Sequence, residues 1–164
     1  MSMKKRLILT VLAFALAITN LMAQPKEVRF GVKGGLNLTF FKFEQANFGP
    51  EARSETGYYG GTFVDFEIDD FLSIQPEVLY IGLRDFRFLN APIYAKYQVA
   101  EDLYLMVGPS LNYFFDFFNT KFKVRGDVSA SYQMSPTFDA HIKYTLGFDV
   151  LAPNGLFFGL GIKF

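Results

Sequence analysis

"LFFGLGIKF" occupies residues 156–164. Leu156, Phe158, Leu160, Ile162 and Phe164 fall on one phase of a two-residue repeat; Phe157, Gly159, Gly161 and Lys163 fall on the other. Period two marks a β-strand, whose successive side chains point to opposite faces. A strand with one apolar face must bury that face, and what buries it decides the fold.

The same repeat extends back through most of the chain. Val28, Phe30, Val32, Leu36, Leu38 and Phe40 share a phase with Gly34, against Arg29, Gly31, Lys33, Gly35, Asn37 and Thr39. The polar stretch 41–55, with Gly49-Pro50, predicts a long loop. A second strand, about Thr56 to Ile68, sets Tyr58, Val64, Phe66 and Ile68 opposite Tyr59, Gly61, Asp65 and Glu67. After an Asp69-Asp70 turn, Leu72, Ile74, Val78 and Tyr80 alternate with Ser73, Gln75 and Glu77. A fourth strand carries Leu89, Ala91, Ile93, Ala95, Tyr97 and Val99 against Asn90, Tyr94 and Lys96. Ala100-Glu101-Asp102 turns into a fifth, where Leu103, Leu105, Val107, Leu111 and Tyr113 oppose Tyr104, Gly108, Ser110 and Asn112. Phe122 to Tyr132 and Phe138 to Phe148 supply a sixth and a seventh, the sixth with the least distinct boundaries. Residues 156–164 are the eighth.

The links after strands two, four and six are short and the first link is the longest, the asymmetry of a membrane barrel. The predicted fold is therefore all-β, an eight-stranded antiparallel up-and-down transmembrane β-barrel. Alternation alone leaves open a soluble periplasmic lipid-binding barrel, with the apolar face inside. Volume separates the two: an eight-stranded lumen is only just filled by side chains. The apolar phase is too large for it, whereas the other phase mixes Gly and Ser with long charged groups. The apolar face is therefore expected to meet lipid. Pro76, Pro92 and Pro109 sit mid-strand, where each removes a ladder donor, so local bulges or unpaired carbonyls are expected there.

Residues 1–23 have the marks of a secretory signal peptide: Lys4, Lys5 and Arg6, then an apolar run from Leu7 to Ile18, then Ala23 before the cut. Twelve helical residues cover ~18 Å, too short for a membrane span. Residues 24–164 form the expected barrel domain. Losing those three basic residues takes a formally neutral chain to a net charge near −3, so no basic surface asks for nucleic acid. The chain has no Cys, which excludes a lipid-anchored N-terminus and a disulfide scaffold.

"FGVKGGLN" (30–37), "GYYGGTFVDF" (57–66), "LSIQPEVLY" (72–80), "APIYAKY" (91–97) and "VGPSLNY" (107–113), with "GLGIKF" at the end, resemble the small outer-membrane β-barrel family of PorT type. The likeness weakens after Tyr113. It implies an integral outer-membrane location in a Gram-negative envelope and contact with outer-membrane lipid. It also implies that the assembly machinery recognises a terminal aromatic, matched by Phe164 with Ile162 and Leu160 as the assembly signal.

Candidate chemistry is sparse. His141 is the only histidine and falls on the inward phase beside Asp139 and Lys143, as expected of a satisfied lumen residue rather than a catalytic base. One His without Cys does not make a zinc site, and "GVKGG" lacks the context of a phosphate loop; no enzyme activity, metal or cofactor is expected. The main constellation is an inward charge set: Arg29, Lys33, Lys96 and Lys143 against Asp65, Glu67, Glu77 and Asp139. Buried charges must be paired, so the expectation is a mutually neutralised, largely non-conducting lumen in a structural or interaction protein. The alternative is a narrow pore for small or apolar solutes. Phe41, Phe43, Phe48, Phe86, Phe88, Phe114, Phe115, Phe117 and Phe118 are expected at the outer rim as an aromatic girdle. Phe117 and Phe118 are candidates for holding a protein partner or an apolar ligand there.

Overall fold

A computed structural model describes residues 26–45, 49–84, 86–115, 121–148 and 153–164. The expected signal peptide, Phe48, Phe117 and Phe118 lie outside the described residues. The strands are β1 (Glu27–Gln45), β2 (Gly49–Glu67), β3 (Leu72–Gly82), β4 (Arg87–Ala100), β5 (Leu103–Phe114), β6 (Phe122–Gln133), β7 (Phe138–Gly147) and β8 (Asn154–Lys163). Each pairs antiparallel with the next, and β8 closes on β1 from Gly31↔Lys163 to Phe40↔Asn154. β6 thus acquires firm boundaries, which its alternation alone left indistinct.

Closure is staggered. Register partners lead from Glu27 through Glu67, Ser73, Lys96, Met106, Ser129, Lys143 and Phe157 back to β1 at Asn37, ten residues further along. Such a stagger tilts the strands to roughly 40° and sets the width of the lumen. It also places side chains distant in sequence at one depth.

Exposure alternates as the period-two repeat predicts. Phe30, Leu36, Val107 and Leu160 are more than half exposed, while Lys33, Asn37, Asn112 and Asp127 are buried. The outward phase of β1 from Val28 to Phe40 spans about 30 Å at that tilt, enough to face the apolar band of a bilayer. Exposed aromatics edge it at both ends: Phe71, Tyr97, Tyr132 and Phe138 at one, Tyr58, Phe122 and Phe148 at the other. An apolar exterior around a lumen that holds buried charges such as Lys33, Asp65, Glu77 and Lys143 rules out the soluble lipid-binding barrel.

The expected loop at 41–55 is instead paired backbone. β1 and β2 remain in register from Phe41↔Arg53 to Gln45↔Gly49, although β8 leaves β1 at Phe40 and β3 leaves β2 at Tyr58. The hairpin therefore stands beyond the barrel as a two-stranded ribbon. A ribbon clear of the bilayer imposes no apolar–polar alternation, so its sequence looks like a loop. Pro50, opposite Glu44, is tolerated because no third strand needs its missing donor.

The mid-strand prolines are accommodated without bulges. Pairing lapses between Phe63↔Glu77 and Phe66↔Ile74, between Leu79↔Asn90 and Pro76↔Ile93, and between Pro92↔Ser110 and Ala95↔Val107. In each lapse Pro76, Pro92 or Pro109 stands where its absent N–H would face the preceding strand, and the register resumes unshifted. The shift in the β4–β5 pair lies elsewhere, between Gln98 and Ala100.

Candidate functional site

The inward side chains form layers. At the end where β1 begins, β8 finishes and the short turns lie (the periplasmic end of a membrane barrel), Arg29 contacts Glu27 at 2.6 Å and Glu67 at 3.5 Å. Lys26, just outside, pairs with Asp70, and that hydrogen bond raises its pKa above the ordinary lysine value. A cavity of about 290 Å³ opens here. Below it, Lys96 donates to Asp65, and His141 Nδ1 lies 3.3 Å from Asp139 Oδ1.

The next layer crosses the barrel. Lys33 Nζ donates to Glu77 Oε1, which also accepts from Gln75 Nε2 at 2.7 Å. Lys143 donates to Asn90 Oδ1 and lies 3.1 Å from Asp127 Oδ2. Asp127 accepts from Ser110 Oγ at 2.9 Å and from Asn90 Nδ2 at 3.3 Å. Lys33 and Lys143 each stand over a ring, Phe63 at 5.0 Å and Phe157 at 4.7 Å. Such contacts compensate part of an ammonium's lost hydration.

Towards the outer end the lumen becomes apolar. Tyr59, Leu79, Ile81, Leu83, Phe88, Phe114 and Phe157 form one buried cluster with Phe86 against it. Arg125 lies within this end: Nη1 donates to the Pro153 carbonyl at 2.6 Å and Nη2 to Asn112 Oδ1. Its guanidinium lies 5.2 Å and 5.5 Å from the stacked rings of Phe88 and Phe114. Tyr59 ties the apolar and charged layers together, its hydroxyl 2.6 Å from His141 Nε2.

The eight charges singled out in the sequence thus all point inward, but as separate pairs at different depths. Arg29 and Glu67 form a partly exposed pair at the mouth, whereas Lys33–Glu77 and Lys96–Asp65 are buried. Lys143 pairs with Asp127, which was not among the eight. Asp127 and Arg125 share the alternation phase of Ser129 and Ser131, so the signal was present in the strand with the least distinct boundaries. Phe88 and Phe114 are a correction: they are buried in the lumen rather than placed on a rim. Both residues continue the inward phase of their strands, Phe88 with Asn90 and Phe114 with Asn112. Phe115 remains exposed and packs edge-on to Tyr113 at 5.2 Å. Phe164 and Leu160 face outward; the Phe164 N–H donates to the Phe30 carbonyl at 2.8 Å. Among the described residues, no cluster of His, Cys, Asp or Glu could hold a metal ion.

Residues 22–84 match the family described as "Outer membrane protein beta-barrel domain". No curated protein matches the sequence. Among solved structures, the chain is similar to Neisserial surface protein A, at TM-score 0.56 and 15% identity over 82% of this chain and 95% of that one. It is similar to Ail of Yersinia pestis, solved in complex with the heparin analogue sucrose octasulfate, at TM-score 0.54 and 13% identity over 84% and 99%. A de novo designed transmembrane β-barrel aligns at TM-score 0.52 and 16% identity over 81% and 95%. At such identities the structural likeness is one of fold. With the lipid-facing belt and the family match, the chain is a small β-barrel protein of the outer membrane.

Proposed function

We propose that this barrel is a structural or interaction protein of the outer membrane, not an enzyme, and that its lumen is largely non-conducting. The observation that carries the reading is the stacking of two kinds of obstruction across the lumen. Buried ion pairs, Lys33–Glu77 and Lys143–Asp127, lie beneath an apolar plug that includes Leu79, Ile81 and Phe157. An ion entering would have to separate charges that are desolvated and mutually paired, at a cost of several kcal/mol each, and then pass a cluster of mostly apolar side chains. The alternative of a narrow pore requires that plug to move aside.

Purified protein in a planar bilayer should show no stepwise currents at neutral pH. Regular unitary steps from heat-modifiable, folded protein would overturn the closed-lumen reading. The outward surface contacts outer-membrane lipid, and Phe164 with Ile162 and Leu160 serves as the assembly signal that the PorT-type resemblance implies. The outer rim, which carries the β1–β2 ribbon, is where a protein partner would dock, with Phe117 and Phe118 the candidates the sequence offers for holding it.

A further inference from the structure

We propose that Arg84 and Arg87, at the outer edge of the barrel wall, hold the phosphate of a phosphorylated lipid in the outer leaflet of the membrane. This goes beyond the closed-lumen reading, because it concerns the lipid-facing wall and not the interior. From β3 to β8 the outward phase carries a single charged residue, Arg87. On β4 it stands ten residues from Tyr97, which belongs to the aromatic edge at the periplasmic end. At the strand tilt that separation is roughly 25 Å, the height of the apolar band. Arg87 therefore lies at the level of the outer-leaflet headgroups.

The surroundings fit the upper part of a lipid. Arg87 is tied to the end of β5, where the Phe115 N–H donates to its carbonyl at 3.2 Å. Phe115 packs edge-on to Tyr113 at 5.2 Å, and Tyr113 lies 4.9 Å from Phe122. Phe115 and Phe122 are exposed, so these rings offer an acyl chain an apolar wall beside the cation. Arg84 is exposed in the β3–β4 turn, which the Leu83 N–H closes onto the Phe86 carbonyl at 2.8 Å. Lys121 adds a third exposed cation one strand beyond β5, its carbonyl accepting from the Phe114 N–H at 2.9 Å.

Among the described residues, none of these three side chains has a carboxylate partner. The periplasmic edge is different: Lys26 pairs with Asp70 there, and Arg29 with Glu27 and Glu67. Cations left without a counterion thus gather at one interface, where the neighbours to the side are lipid headgroups. A guanidinium donates to two phosphate oxygens at once, and an arginine at the interface costs a membrane barrel little. A protein partner would approach from above, along the β1–β2 ribbon. Arg87 faces sideways, into the plane where lipids lie.

The test is native mass spectrometry of the folded full-length barrel in detergent, titrated with bis-phosphorylated lipid A. The same lipid stripped of its phosphates serves as the comparison, and inorganic phosphate as a competitor. Lipid A should bind at least about tenfold more tightly than its dephosphorylated form, and inorganic phosphate should not displace it. Replacing both arginines, Arg84→Gln with Arg87→Gln, should weaken lipid A binding by about tenfold or more. Lys26→Gln, at the opposite edge, should leave it unchanged. Should the double variant fail the heat-modifiability check for folding, Arg87→Gln alone should still weaken binding. Equal binding of the dephosphorylated lipid, displacement by inorganic phosphate, or unchanged affinity in a folded arginine variant would overturn the proposal.

Discussion

The Tyr59 hydroxyl and His141 Nε2 lie 2.6 Å apart, joining β2 to β7 through the interior rather than through the barrel wall. With Nδ1 turned to Asp139, the ring is held as the tautomer that donates to the carboxylate and accepts from the phenol. Tyr59→Phe keeps the edge-on packing on Phe157 at 5.2 Å but strands a buried imidazole nitrogen. It should lower unfolding stability in urea by about 1–3 kcal/mol. An unchanged midpoint would mean that the hydroxyl is not holding the two layers together.

Lys33 and Glu77 provide a double-mutant cycle. Lys33→Met alone leaves a buried carboxylate without its cation and should cost about 3–5 kcal/mol. Adding Glu77→Gln should recover much of that loss, because the pair's own attraction only offsets its desolvation. Strictly additive losses, read from urea unfolding in lipid vesicles, would argue against a coupled pair.

Gly159 permits the closing seam. A Cβ there would come within 2.1 Å of the Tyr59 hydroxyl oxygen and 2.4 Å of the Gly34 carbonyl. Neither backbone nor the buried phenol can yield that distance cheaply, so Gly159→Ala should sharply reduce the fraction of barrel that resists unfolding on an unheated gel. A normal folded fraction would show that β8 can shift against β1.

Phe164 separates assembly from stability. Phe164→Ser keeps the backbone bond to Phe30 while removing the ring. Its outer-membrane level should fall in cells, whereas refolding into vesicles should be little changed. Deleting Phe164 removes both features, and should impair both measurements. Normal outer-membrane levels of Phe164→Ser would show the ring to be incidental.

The strands were legible in the sequence because lipid outside and a narrow lumen inside enforce opposite chemistry on alternate residues from Val28 to Phe164. That signal fades where the enforcement ends. Residues 41–53 pair as a ribbon beyond the barrel, so their polar composition resembles a loop although the backbone stays in register. The lumen was only partly legible. Alternation identifies which charges point inward, but strand register decides which of them meet, and the β6–β7 register sets Lys143 diagonally beside Asp127. Alternation also hides the apolar plug: Leu79 and Ile81 stand among Val78 and Tyr80, where both phases are apolar and the inward one has no polar signature.

The three prolines make the wall mechanically uneven. Pro76, Pro92 and Pro109 open the ladder across three successive interfaces, from β2 to β5, at neighbouring depths. The pairs β5–β6, β6–β7, β7–β8, β8–β1 and β1–β2 run without a lapse. One arc of the cylinder is thus compliant and the rest stiff, so lateral pressure from the bilayer should flatten it along a fixed axis. Amide deuterium exchange should register that axis as faster exchange beside the prolines than at the same depth in β7 and β8.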